Sequence, residues 1–132
     1  MSGWRDLFAS ARVATLATIG TGGKPHLVPF TFAVDGDEIW SAVDEKPKRS
    51  RRLRRLDNIA ANPAVSALAD HYDDDWTALW WVRADGVAEI VPDGPLDLLA
   101  DKYPQYRRQA PAGPFVRITV ERWSGWAATS PD

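Results

Sequence analysis

Lys46, Lys48, Arg49, Arg51, Arg52, Arg54 and Arg55 lie within ten consecutive residues that include no acidic side chain. The whole chain has 16 Lys+Arg against 18 Asp+Glu, so a body of charge near −9 carries one segment of +7. Repulsion inside that segment opposes compact folding unless an anion lies against it. Ser50 occupies the N-cap position ahead of the helical stripe Leu53, Leu56 and Ile59, and Pro47 disfavours helix behind it. Lys46, Lys48 and Arg49 therefore lead into a helix N-terminus, where the dipole favours an anion by roughly 0.3–1 kcal/mol and disfavours a cation. Free N–H groups, the Ser50 hydroxyl and flanking cations together suit a phosphate. For Arg54 and Arg55 the plainer reading is a solvated face opposite the leucines. Nucleic-acid binding fits poorly, because the acidic remainder of the chain would repel a long polyanion.

Other chemistry is sparse. The chain has no cysteine, which excludes disulfides and thiolate sites. His26 and His71 lack ligand spacing, and Asp70, Asp73, Asp74 and Asp75 lack the glycine and terminal glutamate of a calcium loop, so no metal site is expected. Phosphate-loop, dinucleotide and nucleophile-elbow motifs are missing, and no catalytic residue stands out. Seven tryptophans exceed the needs of one small core; some are expected against a planar ligand or a partner subunit. A phosphate site with surplus aromatics and no catalytic group of its own points to a bound cofactor as the carrier of the chemistry.

These residues need a frame. At 132 residues the chain is expected to form one domain, 1–132, with a core that needs no disulfide. No signal peptide or membrane span is apparent, so a cytoplasmic location is expected, with no membrane partner. Trp4, Leu7, Phe8 and Ala11 have helical spacing. Strands are expected over 12–19, 25–34, 38–43, 64–70, 77–83, 87–91 and 115–121, with Gly20–Gly23, Asp35-Gly36-Asp37 and Asp85-Gly86 as turns. Pro25 and Pro29 make the second strand an edge, or bulge it. Helices are expected from Ser50 to Asn62-Pro63 and over 93–103, followed by a polar loop, 105–113, and a tryptophan-rich tail. His26, on that edge strand, points either into a cleft or into the core. Hairpin-linked strands with few crossovers suggest an α+β fold around a closed or nearly closed antiparallel barrel.

The segments RVATLATIGTGGKPHLVPFTFAVDGDEIW, KPKRSRRLRRLDNIAANPAVSALADHYDDDW and LWWVRADGVAEIV, in this order, resemble the pyridoxamine 5′-phosphate oxidase-like flavoproteins. Within them the chain is most similar to the actinobacterial branch that uses the deazaflavin coenzyme F-420. The resemblance implies a six-stranded antiparallel split β-barrel with two to three helices, forming a homodimer with cofactor sites at the interface. It implies that Lys46, Lys48, Arg49 and Ser50 bind the cofactor phosphate. His26, Leu27, Val28 and Pro29 would lie along the ring, with Ala42 and Val43 of a neighbouring strand. Trp76 would reach the site from the other subunit, and Trp80 is a further candidate.

The function this implies is an F-420-dependent oxidoreductase that transfers a hydride between the deazaflavin and a small unsaturated organic acceptor. Two alternatives are an oxidoreductase that uses flavin mononucleotide (FMN) on the same fold, and a non-catalytic cofactor- or haem-binding protein. The F-420 tail is an extended polyanion, and seven basic residues exceed what one phosphate needs, so that Arg51, Arg52 or Arg55 could meet that tail.

Overall fold

In the computed structural model, residues 2–43 and 50–129 are described. The elements run α1 (Ser2–Ser10), β1 (Ala14–Ile19), β2 (Pro25–Phe30), β3 (Ala33–Asp35), β4 (Glu38–Ala42), α2 (Ser50–Ala61) and β5 (Ala64–His71). They continue with β6 (Trp80–Val91), α3 (Leu96–Lys102), α4 (Pro104–Arg108) and β7 (Phe115–Ala127). Every strand pairing is antiparallel, in the order β2-β1-β5-β6-β7-β4-β3.

The two outermost strands, β2 and β3, are consecutive in sequence, with only Thr31 and Phe32 between them. The sheet must therefore curl until one edge runs into the other, and the fold is a split barrel. Pro25 and Pro29 do place β2 at an edge, since neither can donate to a further strand. The barrel interior is filled by alternate strand residues such as Leu16, Ile39, Ala67, Val82 and Ile118. Phe8 of α1 closes one end, fully buried, with its ring 4.8 Å from that of Phe32 and 5.4 Å from that of Trp123. Asp37 ties the same end together by accepting bonds from Trp123 Nε1 at 3.1 Å and from Arg5 at 3.0 Å, and these bonds hold its carboxyl below the usual carboxylate range. α2 is anchored to β1 by Asn58, whose amide donates to the buried Thr18 hydroxyl at 3.0 Å.

Among the described residues the sheet has seven strands, where the resemblance implied six. The expected 25–34 strand breaks at the Thr31-Phe32 seam into β2 and β3, while the expected 77–83 and 87–91 strands are one, β6. The described residues form four α-helices in place of the two or three expected. The fourth overlaps the expected 105–113 loop and starts at Pro104, whose fixed φ suits the first helical turn. Asp85-Gly86 is not a hairpin turn, for β6 runs straight through it. Asp85 faces Arg122 and Gly86 faces Val120, so Glu121 is the extra residue of a bulge. Gly36, by contrast, does turn a hairpin, with φ 62°. The tryptophan-rich tail belongs to β7. Among the described residues no helix is long and apolar enough to cross a membrane.

Candidate functional site

The barrel's closure leaves a cleft of about 470 Å³ where the seam meets the helices. Pro29 and Phe30 end β2, Thr31 lies in the seam, Ser41 and Ala42 end β4, and Val13 precedes β1. Arg55 comes from α2, while Tyr103, Gln105 and Tyr106 come from the α3–α4 junction. The lining thus mixes apolar side chains with hydroxyls, an amide and a guanidinium.

Hydrogen bonds fix the cleft at its seam. Ser41 Oγ donates to the Thr31 carbonyl at 2.8 Å. The Tyr103 hydroxyl accepts from Phe32 N at 3.0 Å, and its proton is shared between the carbonyls of Arg12 at 2.9 Å and Phe32 at 3.0 Å. The segment carrying Tyr103 is itself held by guanidinium caps on the last carbonyls of α3. Arg107 donates to Ala100 O and Asp101 O, and Arg12 to Lys102 O.

Behind this seam the Lys102 ammonium lies 3.7 Å from the centre of the Phe32 ring, buried, with no hydrogen-bond partner among the described residues. Burial, with the nearby Arg12 charge, lowers its pKa from 10.5 to about 8. The folded state therefore binds fewer protons than the unfolded chain between these values, and stability should rise as pH climbs from about 8 to 10.5. Lys102→Met should stabilise the protein at pH 7 by ~1 kcal/mol, once screening and the lost cation–π contact are discounted. A melting temperature higher by about 4 °C at pH 7, converging with wild type near pH 10, would be seen in pH-resolved thermal melts. A lower melting temperature would show that the ammonium stabilises the seam.

Pro29 and Ala42 line the cleft, and Val43 is buried next to Ala42, its N–H donating to Pro114 O at 2.9 Å. Along β2 the side chains alternate. Leu27 and Pro29 are exposed, whereas Val28 packs on the core and His26 is half-buried. His26 Nδ1 is buried with no partner among the described residues. Ser50 is the first residue of α2; Lys46, Lys48 and Arg49 lie outside the described residues. Trp76 is exposed on a short turn, its Nε1 donating to the Tyr72 hydroxyl at 3.3 Å, while Trp80 packs against the core and stacks on His71. Neither tryptophan lines the cleft of its own chain. Arg55, for which surface was the plainer reading and a tail contact the other, lines the cleft, whereas Arg54 is exposed. The acidic loop turns its carboxylates onto its own backbone, Asp73 accepting from Asp75 N and Asp75 from Thr77 N and Oγ1.

A second hollow, of about 720 Å³, lies on the outer face of the sheet. Thr15, Ala17, Leu27, Leu68, Trp81 and Arg83 line it, with Leu27 66% and Leu68 41% exposed. Trp126, paired with Trp81 across β6 and β7, extends the apolar surface. The two hollows adjoin on β2, for Leu27 lines one and Pro29, two residues on and on the same face, lines the other.

Pro29, Phe30 and Ala42 give the cleft apolar surface from the strands, and Tyr103 and Tyr106 bring two aromatic rings from the helix junction.

Residues 3–127 match the sequence profile of a family described as pyridoxamine 5′-phosphate oxidase. The chain is 29% identical over 112 residues to a 5a,11a-dehydrotetracycline/5a,11a-dehydrooxytetracycline reductase of Streptomyces rimosus, covering 84% of this chain and 71% of the relative. Among solved structures it is similar to the conserved hypothetical protein Rv2991 from Mycobacterium tuberculosis, with a TM-score of 0.74 and 29% identity over 93% of this chain and 81% of that one. It also shares its fold with an FAD-binding protein from Mesorhizobium loti, with a TM-score of 0.69 at 24% identity over 92% and 87% of the two chains.

Proposed function

This chain belongs to the pyridoxamine 5′-phosphate oxidase family, and we propose from that membership that it is an F-420-dependent oxidoreductase acting on a small unsaturated organic acceptor. The observation that carries the reading is the cleft, an aromatic and apolar slot beside the helix into which the basic segment leads. Its similarity to a named reductase supports redox chemistry over simple cofactor storage.

In this reading Pro29, Ala42 and Val43 hold one side of the cofactor ring, with the backbone of His26, Leu27 and Val28 along its edge. Lys46, Lys48, Arg49 and Ser50 take the phosphate, where helix N–H groups and cations act together. Arg55 extends the positive surface into the cleft and gives the polyanionic F-420 tail a second contact. When bound, the cofactor supplies the hydride. The protein's own part is to orient the two reactants face to face and to exclude water with the Tyr103 and Tyr106 rings.

The exposed leucines and tryptophans of the outer face are the surface on which a second copy would dock, since contiguous apolar area of this kind marks an interface. Because the outer hollow adjoins the cleft, a partner seated there could bring its Trp76 or Trp80 to the cofactor.

Titration of the purified protein with F-420 and with FMN, followed by tryptophan fluorescence, tests the assignment. Saturable quenching by F-420 well below the FMN concentration required is expected, with a molar mass twice 14.6 kDa by light scattering. Tight binding of FMN with none of F-420 would overturn the cofactor, and a monomer would overturn the interface.

A further inference from the structure

We infer that α3 and α4 form a lid over the cleft, and that the charge on the Lys102 side chain sets how readily the lid opens. Lys102 is in this role a positioning residue, acting on the cleft through Phe32 and Tyr103. The consequence for ligand exchange rests on the reading of the cleft given above; the opening itself needs no ligand.

The segment between β6 and β7 is built to move as a unit. Residues 92–95 and 109–114 flank its two helices without regular structure. Its apolar anchor, Leu99, is fully buried, but with Ala33, Ala42 and Phe115 in a small cluster separate from the barrel core. A polar latch ties it to the barrel. The Phe32 N–H donates to the Tyr103 hydroxyl at 3.0 Å, that hydroxyl faces the Arg12 and Phe32 carbonyls, and Arg12 donates to Lys102 O at 2.7 Å. A segment with a small core of its own opens locally at less cost than the whole fold. Tyr103, Gln105 and Tyr106 line the cleft, so release of the latch uncovers it.

Lys102 sits inside that latch. Its buried Nζ is 3.7 Å from the centre of the Phe32 ring and 5.4 Å from that of Tyr103. Closing the lid takes this ammonium out of water and returns two ring faces, with no hydrogen bond among the described residues. Arg12, ahead of β1, adds a like charge.

The groups around Lys102 leave it as the one that changes charge near neutral pH. Arg12 and the α4 residue Arg107, which caps the end of α3, are guanidiniums and do not titrate in this range. Burial holds the Tyr103 hydroxyl above its usual value. The barrel presents the Phe32 ring. Asp35 of β3 and Asp97 and Asp101 of α3 line a separate hollow.

In the closed lid, burial lowers the Lys102 pKa to about 8, whereas water in the open lid restores a value near 10.5. The open lid therefore binds more protons. Opening is easiest at low pH and is suppressed as pH rises from about 8 toward 10.5. Between pH 7 and pH 9 the opening equilibrium should fall by about tenfold.

Amide hydrogen exchange by NMR, corrected for its intrinsic pH dependence, reads the opening directly. In cofactor-free wild-type protein the protection of the Phe32 N–H should rise by about tenfold from pH 7 to pH 9. The Tyr103 N–H, bonded to Leu99 O within the lid, should follow it. Lys102→Met should be as protected at pH 7 as at pH 9, and Lys102→Arg, charged at both, should stay weakly protected at both. In stopped flow, F-420 association should slow from pH 7 to pH 9 in wild type relative to Lys102→Met, a ratio in which the ligand's own ionisation cancels. A flat protection profile in wild type, or a rising one in Lys102→Met, would overturn the proposal. So would Phe32 and Tyr103 amides that open independently, or an association rate that ignores pH while protection rises. Failure to bind either F-420 or FMN would instead overturn the functional reading, and the exchange profile would still decide the lid.

Discussion

Gly86→Ala should lower the melting temperature by about 10 °C, the largest effect expected of any single methyl group in this protein. A Cβ built on Gly86 would stand 2.1 Å from the carbonyl oxygen of Thr119 and 3.0 Å from its carbonyl carbon and from Val120 Cα. These are backbone atoms of the adjacent strand, so no rotamer change relieves the clash. β6 and β7 would have to separate at the bulge, which is where the register between them changes. Overpacking in a well-ordered interior costs about 1–3 kcal/mol, and a backbone neighbour puts this site at the upper end. The glycine is not needed for its dihedral freedom, since its φ is not positive. Gly36→Ala is the contrasting case. No atom lies within 4 Å of the added methyl, and only the left-handed φ of 62° is strained. Thermal melts of the two variants should therefore separate, with Gly86→Ala the worse by several degrees. Equal losses would mean that the sheet yields at the bulge without cost.

Replacing Lys48 and Arg49 together by alanine should weaken F-420 binding by about a hundredfold while leaving the melting temperature of the cofactor-free protein within a degree or two of wild type. Each charge-assisted hydrogen bond to a phosphate contributes about 1.5–3 kcal/mol, and in the proposed reading the pair would supply two. Stability should not suffer, because the seven basic residues of 46–55 repel one another and the two substitutions relieve part of that strain. The same titration repeated across salt concentrations should show a shallower dependence for the double variant, since fewer ionic contacts remain to be screened. A large fall in melting temperature without cofactor would mean that these cations are structural. Unchanged affinity would place the phosphate elsewhere.

Features that depend on one strand's own chemistry were legible in the sequence. Pro25 and Pro29 marked β2 as an edge because a missing N–H excludes a further partner whatever else the fold does. Asn62-Pro63 marked the end of α2 for a similarly local reason, since a proline disfavours helix in the residue before it. Features that depend on what lies across a gap were not legible. Asp35-Gly36 and Asp85-Gly86 are the same dipeptide, yet one turns and the other runs extended against β7, and only the approach of Thr119 distinguishes them.

The candidate site divides similarly. Pro29 and Ala42 came from the resemblance, and the cleft includes both. Tyr103 and Tyr106 were not singled out, because their segment read as a helix end and a polar loop. Pro104 between them, followed by a tyrosine three residues after the first, was the available signal for a further helical turn. Arg55 was read together with Arg54, but one residue along a helix is a rotation of about 100°, enough to turn one toward the cleft and the other to solvent.

The passage of β2 into β3 through Thr31 and Phe32 also bears on aggregation. A curled sheet normally has two open edges, each a template on which a foreign strand can add. Here the chain hands one edge to the other across two residues. What remains open is blunted on one side by Pro25 and Pro29 and on the other by the brevity of β3, three residues long. Strand addition is closed off at both margins, so self-association is steered away from edge-to-edge growth and toward the faces of the sheet. Face-to-face contact can end in a closed pair, whereas an edge could keep recruiting strands without limit.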